Sequence, residues 1–170
     1  MFSDIIGYST IMSKDESQAL KLLDKNRQIH KSHIEEFNGK FIKEIGDGIL
    51  SIYHSSLDAV NCALKIQETC KKIPSLQIRI GIHIGEVIIR NKDVFGDGVN
   101  IASRIEALGK SGEIYISERV KEDIENKSEL KTEFVGIRKL KNISHPINIY
   151  SVREQQNENA KTVRRTARSA

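Results

Sequence analysis

The stretch Lys40-Phe41-Ile42-Lys43-Glu44-Ile45-Gly46-Asp47-Gly48-Ile49-Leu50-Ser51-Ile52-Tyr53 reads as two strands joined by a tight turn. Apolar residues flank Gly46-Asp47-Gly48, and Asp-Gly favours the positive backbone angles that a hairpin needs. Upstream, Ala19, Leu22, Leu23, Ile29, Ile34 and Phe37 recur at helical spacing, so a long amphipathic helix runs from Asp15 to Phe37 and stops at Asn38-Gly39. Before it, Met1 to Ile6 is short and apolar and is broken by Gly7, Ser9 and Ser13. It reads as the end of a strand, shorter than an opening strand normally is, and the expectation is that it is truncated here.

Downstream of the hairpin, Ser55 or Ser56 caps a second helix carrying Ala59, Val60, Ala63, Leu64 and Ile66, which Pro74 ends. Leu76 to Ile89 fits one long strand or a bent pair, broken by Gly81 and Gly85. A loop holding Asp93, Gly96 and Gly98 leads into a helix from Val99 to Leu108. A strand over Glu113–Ile116, a short helix capped by Ser117, and closing strands over Phe134–Leu140 and Ile147–Val152 complete the pattern. This order predicts an α+β fold, a mixed sheet covered by helices. One domain spans 1–152, and residues 153–170 are polar, low in apolar residues and expected to be disordered.

The chain has 170 residues and a formal net charge of +4. Much of that excess falls after residue 152, where Arg153, Lys161, Arg164, Arg165 and Arg168 face only Glu154 and Glu158. The body therefore has no bias toward a polyanion, and no nucleic acid is expected as a partner. Cys62 and Cys70, eight positions apart on one helix, lie roughly 12 Å apart, too far for a disulfide, and read as buried thiols of a reducing compartment. No stretch approaches a membrane span or a signal peptide, so the expected location is cytoplasmic, as a free domain or the cytosolic part of a larger sensor.

Three glycine-punctuated segments place acidic or polar residues where strands end: Phe2 to Ser9, Lys43 to Gly48, and Asp93 to Arg104. Asp4 between Phe2 and Ile5 is costly to bury without a partner. With the hairpin beside the first strand, Asp4 and Asp47 share hard cations, because Mg²⁺ accepts two carboxylates plus phosphate oxygens and keeps its waters. Asn100 and Arg104, four apart, share a helix face. Arg offers a donor fork for phosphate oxygens and Asn a hold on a sugar oxygen. These parts suit phosphoryl transfer, and the residues alone lead to a metal-dependent nucleotide site.

From Phe2 to about Arg153 the chain resembles class III adenylyl/guanylyl cyclase catalytic domains of the bacterial type, on those three segments in that order. The resemblance implies a ferredoxin-like cyclase core with a mostly antiparallel sheet. It implies an adenylyl cyclase, a lyase that makes 3′,5′-cyclic AMP and pyrophosphate from ATP with two divalent ions, Mg or Mn. Asp4 and Asp47 then correspond to the metal aspartates, with the Ile5 carbonyl as a backbone ligand. Lys43 and Asp93 correspond to the adenine-reading pair, Asn100 to the ribose-orienting residue, Arg104 to the transition-state arginine, and Lys141 to the lysine on the terminal phosphates. It also implies a homodimer with sites shared between subunits. A guanylyl or dual-specificity cyclase and a non-catalytic nucleotide-binding module remain as alternatives.

Gly96-Asp97-Gly98 fails the dinucleotide fingerprint, because Ile101 stands where the third glycine or alanine belongs; Asp97 reads as a turn residue. His30 and His33, one turn apart with no third ligand near, read as a solvated helix face. His83, in an apolar strand, reads as a satisfied core or subunit-interface histidine.

Overall fold

The computed structural model describes residues 1–155. A seven-stranded sheet in the order β2-β3-β1-β4-β7-β9-β8 forms the body. Its strands are β1 (Phe2–Ile5), β2 (Lys40–Ile45), β3 (Gly48–Ile52), β4 (Ile78–Ile82), β7 (Ile114–Ser117), β8 (Leu130–Arg138) and β9 (Ile147–Glu154). Only β4 and β7 pair in parallel, so the sheet is mixed and mostly antiparallel, as expected. A two-stranded arm, β5 (Ile88–Arg90) with β6 (Asp93–Phe95), stands apart from it. The helices are α1 (Tyr8–Lys14), α2 (Glu16–Glu36), α3 (Ser56–Cys70), α4 (Asp97–Ala107) and α5 (Glu118–Asp123).

Local chemistry explains the helix boundaries. Asp15 caps α2 by accepting from the Gln18 backbone N–H at 2.9 Å, and Ser55 caps α3 through Asp58 N–H at 3.3 Å. Asn38, left-handed at φ 54°, ends α2 as the Gly39 N–H returns to the Ile34 carbonyl at 2.8 Å. On one face of the sheet α2 and α3 bury Leu22, Ile29, Ile34, Val60 and Ile66 against Ile5, Ile49, Ile80 and Ile116. On the other, α4 sets Ile101 and Ile105 against Tyr115 and Ile149, and Ala102 against Phe2 and Leu50. The short β1 is held on both edges, by β3 and by β4.

Several expectations need correction. The break after Ile6 is one turn at Gly7, φ 72°, that leads directly into α1. Of the two readings of Leu76 to Ile89 the broken one holds, with β4 in the main sheet and β5 in the arm, but Asp93 to Phe95 is a strand of the arm rather than a loop. Asp97 opens α4 instead of a turn. Strand β8 starts four residues earlier than Phe134, and β9 runs on through Glu154. Of the expected tail, residues 156–170 lie outside the described residues. Cys62 and Cys70 are buried and free, and no described helix is long and apolar enough to cross a membrane.

The histidines of α2 do not lie on a solvated face. His30 is 0% exposed, with Nε2 2.8 Å from Ser3 Oγ and Nδ1 2.9 Å from the Asn26 carbonyl. A carbonyl only accepts, so Nδ1 carries the proton and Nε2 accepts from Ser3. His33 lies between Glu36 and Thr69 of α3, at 3.0 and 2.9 Å. Burial lowers the His30 pKa from 6.5 to about 4. The unfolded chain therefore binds the extra proton between those values, and the stability due to neutral His30, full above pH 6.5, is lost as pH falls toward 4. The loss is about 3 kcal/mol at 1.36 kcal/mol per pKa unit. Because His83, Asp47 and Glu106 titrate in the same window, the difference between urea unfolding at pH 7.5 and at pH 4 measures it only when the parent is compared with a His30 variant. His30→Gln should flatten that slope, and an unchanged slope in this variant would refute the assignment.

Candidate active site

The sheet brings Asp4 to the tip of the β2–β3 hairpin. Because Phe2 pairs with Leu50 and Ser3 with Ile49, Asp4 and Ile5 lie next to Gly46-Asp47-Gly48, where Gly46 takes φ 62°. The Asp47 Oδ2 accepts from the Ile5 backbone N–H at 3.2 Å. Burial first, and then the Asp4 carboxylate, push the Asp47 pKa up to about 6. An open pocket of about 220 Å³ lies over the two carboxylates, lined by Asp47, Arg79 and the segment from Asp4 to Ser9.

Lys43 and Asp93 meet at 2.7 Å across the gap between β2 and β6. The second Asp93 oxygen accepts from the Val94 N–H at 2.7 Å. These two contacts, Lys43 first, hold the Asp93 carboxyl below its usual pKa. Phe95 is 52% exposed beside the pair, its ring centroid 5.9 Å from Lys43 Nζ.

The helix α4 carries Asn100 and Arg104. Asn100 is exposed, and Arg104 is half-buried with its Nη1 enclosed and, among the described residues, without a hydrogen-bond partner. The glycines around Asp97 have packing reasons. A Cβ on Gly96, which has φ 140°, would stand 2.7 Å from the Glu86 carbonyl oxygen, and one on Gly85 would stand 2.8 Å from Gly98 Cα. The start of α4 thus lies flush against the chain leaving β4, where side chains would keep it away.

The predicted residues therefore fall into separate groups: Asp4 with Ile5 and Asp47, Lys43 with Asp93, and Asn100 with Arg104. Among the described residues no hydrogen bond or ion pair joins Asn100 or Arg104 to Asp4 or Asp47. Lys141 is exposed in the loop between β8 and β9. His83 bonds Ser117 Oγ at 2.8 Å, a satisfied histidine as expected.

Two residues escaped the sequence reading. Arg79 is register-paired with Asp4 on the β4 side and places Nη2 3.1 Å from Asp4 Oδ2. Its Nε donates to Glu106 Oε1 of α4 at 2.5 Å. Burial pushes the Glu106 carboxyl up to about 7 against the pull of Arg79, with Asp4 and Asp47 adding to the rise. The signal was present: Glu106 falls four residues after Ala102 in the apolar stripe of α4, where a charge needs a partner.

Residues 1–154 match the family model described as the adenylate and guanylate cyclase catalytic domain. The chain belongs to that family. A candidate adenylate cyclase of Rhizobium meliloti is 31% identical over 157 residues, 88% of this chain and 27% of that protein. The cyclase domain thus spans about a quarter of this relative's length. The crystal structure of an adenylate/guanylate cyclase/hydrolase from Silicibacter pomeroyi superposes with TM-score 0.77 at 32% identity, covering 88% of this chain and 92% of that one. The catalytic core of a rhodopsin-guanylyl cyclase with converted specificity, in complex with ATPαS, gives TM-score 0.81 at 28% identity, with 91% and 94% covered.

The acidic pair suits the divalent ions on which cyclase catalytic domains generally depend. Among the described residues no three His, Cys, Asp or Glu side chains gather into a closed cage. Two carboxylates at an open pocket are the donor set of a hard cation that keeps its waters and takes further oxygens from phosphates.

Proposed function

We propose that the cyclase domain converts ATP to 3′,5′-cyclic AMP and pyrophosphate, the ribose 3′ oxygen attacking the α-phosphate in line. The observation that carries this reading is the Lys43–Asp93 contact of 2.7 Å. Adenine presents an acceptor ring nitrogen beside a donor amine. Lys43 keeps two N–H groups free for the first, and Asp93 keeps lone pairs for the second. Guanine offers the opposite pattern.

In this reading Asp4, Asp47 and the Ile5 carbonyl hold two divalent ions, Mg or Mn. When bound, such ions lower the pKa of the 3′ hydroxyl and neutralise phosphate charge. Asn100 orients the ribose. Arg104, whose buried Nη1 lacks a partner, donates to the phosphoryl oxygens as charge shifts onto them. Lys141 takes the terminal phosphates.

Among the described residues of one protomer no hydrogen bond or ion pair joins Asn100 or Arg104 to Asp4 or Asp47, so we read the site as shared in a homodimer, with Asn100 and Arg104 reaching the partner's carboxylates. The arm supports this reading, since it exposes Ile88 at 70% and Ile89 at 55% beside Phe95, an apolar surface that an isolated chain leaves in water. We read residues 1–152 as the cyclase catalytic domain. The free thiols Cys62 and Cys70 fit a cytosolic setting, where ATP is the abundant substrate.

A GTP reading has one observation in its favour: a guanylyl cyclase relative exists with converted specificity, so few side chains set the purine. Product formation from ATP and from GTP with Mn²⁺ or Mg²⁺ decides between them. Cyclic AMP is the expected product; binding of either nucleotide without turnover would leave only a regulatory module. Replacing both base-reading residues, Lys43→Glu with Asp93→Cys, is expected to lower the ATP-to-GTP ratio of kcat/KM by about 100-fold. A ratio that does not move removes this pair from base recognition.

A further inference from the structure

Glu106 has no part in the chemistry above, yet it is 4% exposed and lies two residues beyond Arg104 on α4. With Asp4 it makes two carboxylates on a single guanidinium, that of Arg79. The three nitrogens of Arg79 are shared unequally. Nε donates to Glu106 at 2.5 Å, Nη1 to the Ala107 carbonyl at 3.4 Å, and Nη2 to Asp4 Oδ2 at 3.1 Å. Two of the three face the last turn of α4, where unpaired carbonyls and the helix dipole favour a cation.

An arginine beside a carboxylate ordinarily closes on it with two parallel hydrogen bonds. Closed in that way on Asp4, Arg79 would occupy both oxygens and cancel the charge. The observed orientation gives Asp4 a single contact from Arg79, on one oxygen, and leaves the other oxygen out of the guanidinium's reach. Glu106 cannot drift to relax the arrangement. A Cβ on Gly81 would stand 2.3 Å from the Glu106 backbone nitrogen, so the helix lies directly on β4 and its side chain starts from a fixed point.

We propose that Glu106 is a positioning residue that holds Arg79 off Asp4, so that Asp4 keeps the charge and the free oxygen a divalent cation needs. The inference rests on reading Asp4 and Asp47 as metal ligands. It differs from a purely structural ion pair, which would alter stability without altering metal affinity.

E106Q keeps the shape and an acceptor while removing the charge, and it is compared with the parent at pH 8.5, where a carboxyl pushed up to about 7 is ionised. Mn²⁺ binding followed by electron paramagnetic resonance, with a non-cyclising ATP analogue held constant, is expected to weaken about tenfold in E106Q. The rate at saturating Mn²⁺ should stay near that of the parent protein. E106D, which keeps the charge with a shorter reach, should recover part of the affinity. Unchanged Mn²⁺ affinity in E106Q, whatever its melting temperature, overturns the proposal. Should E106Q fail to fold, E106A, which also removes the charge, is measured instead, and parental affinity in it overturns the proposal equally. A parent protein that binds no Mn²⁺ sinks the metal reading itself, and this inference with it.

Discussion

Asp47→Ala and Arg104→Ala should each lose about 10³-fold in cyclase turnover, and an equal mixture should recover about a quarter of the parental rate. The single losses follow from removing charge stabilisation worth several kcal/mol at the phosphates, each 1.36 kcal/mol being tenfold in rate. The recovery follows from symmetry. If each site takes Asp47 from one chain and Arg104 from the other, half of the mixed dimers are heterodimers, and each holds one intact and one doubly damaged site. Neither substitution should unfold the chain. Asp47 is a carboxylate penalised by burial and by Asp4, with its pKa raised to about 6, so its removal relieves the pocket. Arg104 has an enclosed nitrogen with no partner to lose. Cyclic AMP formation after subunit exchange measures the effect. Two inactive proteins that stay inactive at concentrations where they are dimeric would refute shared sites, whereas activity persisting in Asp47→Ala alone would remove Asp47 from the metal site.

The parts of the fold that were legible are those in which local and long-range preferences agree. The hairpin at Gly46-Asp47-Gly48, the caps at Asp15 and Ser55, and the apolar faces of α2 and α3 are each dictated within a few residues. Helix α1 was not legible, because Gly7, Ser9 and Ser13 look like breakers unless Gly7 is known to turn in the left-handed region. The first residues of β8, Leu130 to Glu133, read as polar loop. Edge strands tolerate charge on both faces, which removes the alternation that would reveal them. His30 misled for a related reason: period alone places it on a helix, and only Ser3, reached through the sheet, makes its burial acceptable.

The site divides along the same line. Asp4 and Asp47 stand in short segments whose glycines advertise them, and the sheet does bring them together. Arg79 and Glu106 are joined to Asp4 by strand register and by helix-on-sheet packing, with sequence separations of 75 and 27 residues along that chain of contacts. Nothing local marks such a chain. A strand arginine between Ile78 and Ile80 reads as an outward-facing residue until its neighbour on β1 is known.

Gly81→Ala should be the most damaging small substitution in the chain. A Cβ there would stand 2.3 Å from the Glu106 nitrogen and 2.4 Å from the Ala102 carbonyl oxygen, both backbone atoms of α4. No rotamer change relieves a clash with backbone, so the helix must lift from β4, breaking the packing of Ala102 and Ile105. Overpacking of this kind costs about 3 kcal/mol, which for a domain of this size lowers the melting temperature by roughly 10 °C. The effect on catalysis should exceed the effect on stability. The same helix carries Asn100 and Arg104, and a shift of about 1 Å in catalytic groups costs about 100-fold in rate. Assayed well below its own melting temperature, the variant should therefore remain folded and turn over about 100-fold more slowly. Parental melting and parental rate together would mean that α4 is free to slide on β4, and that its seat does not set the geometry of the site.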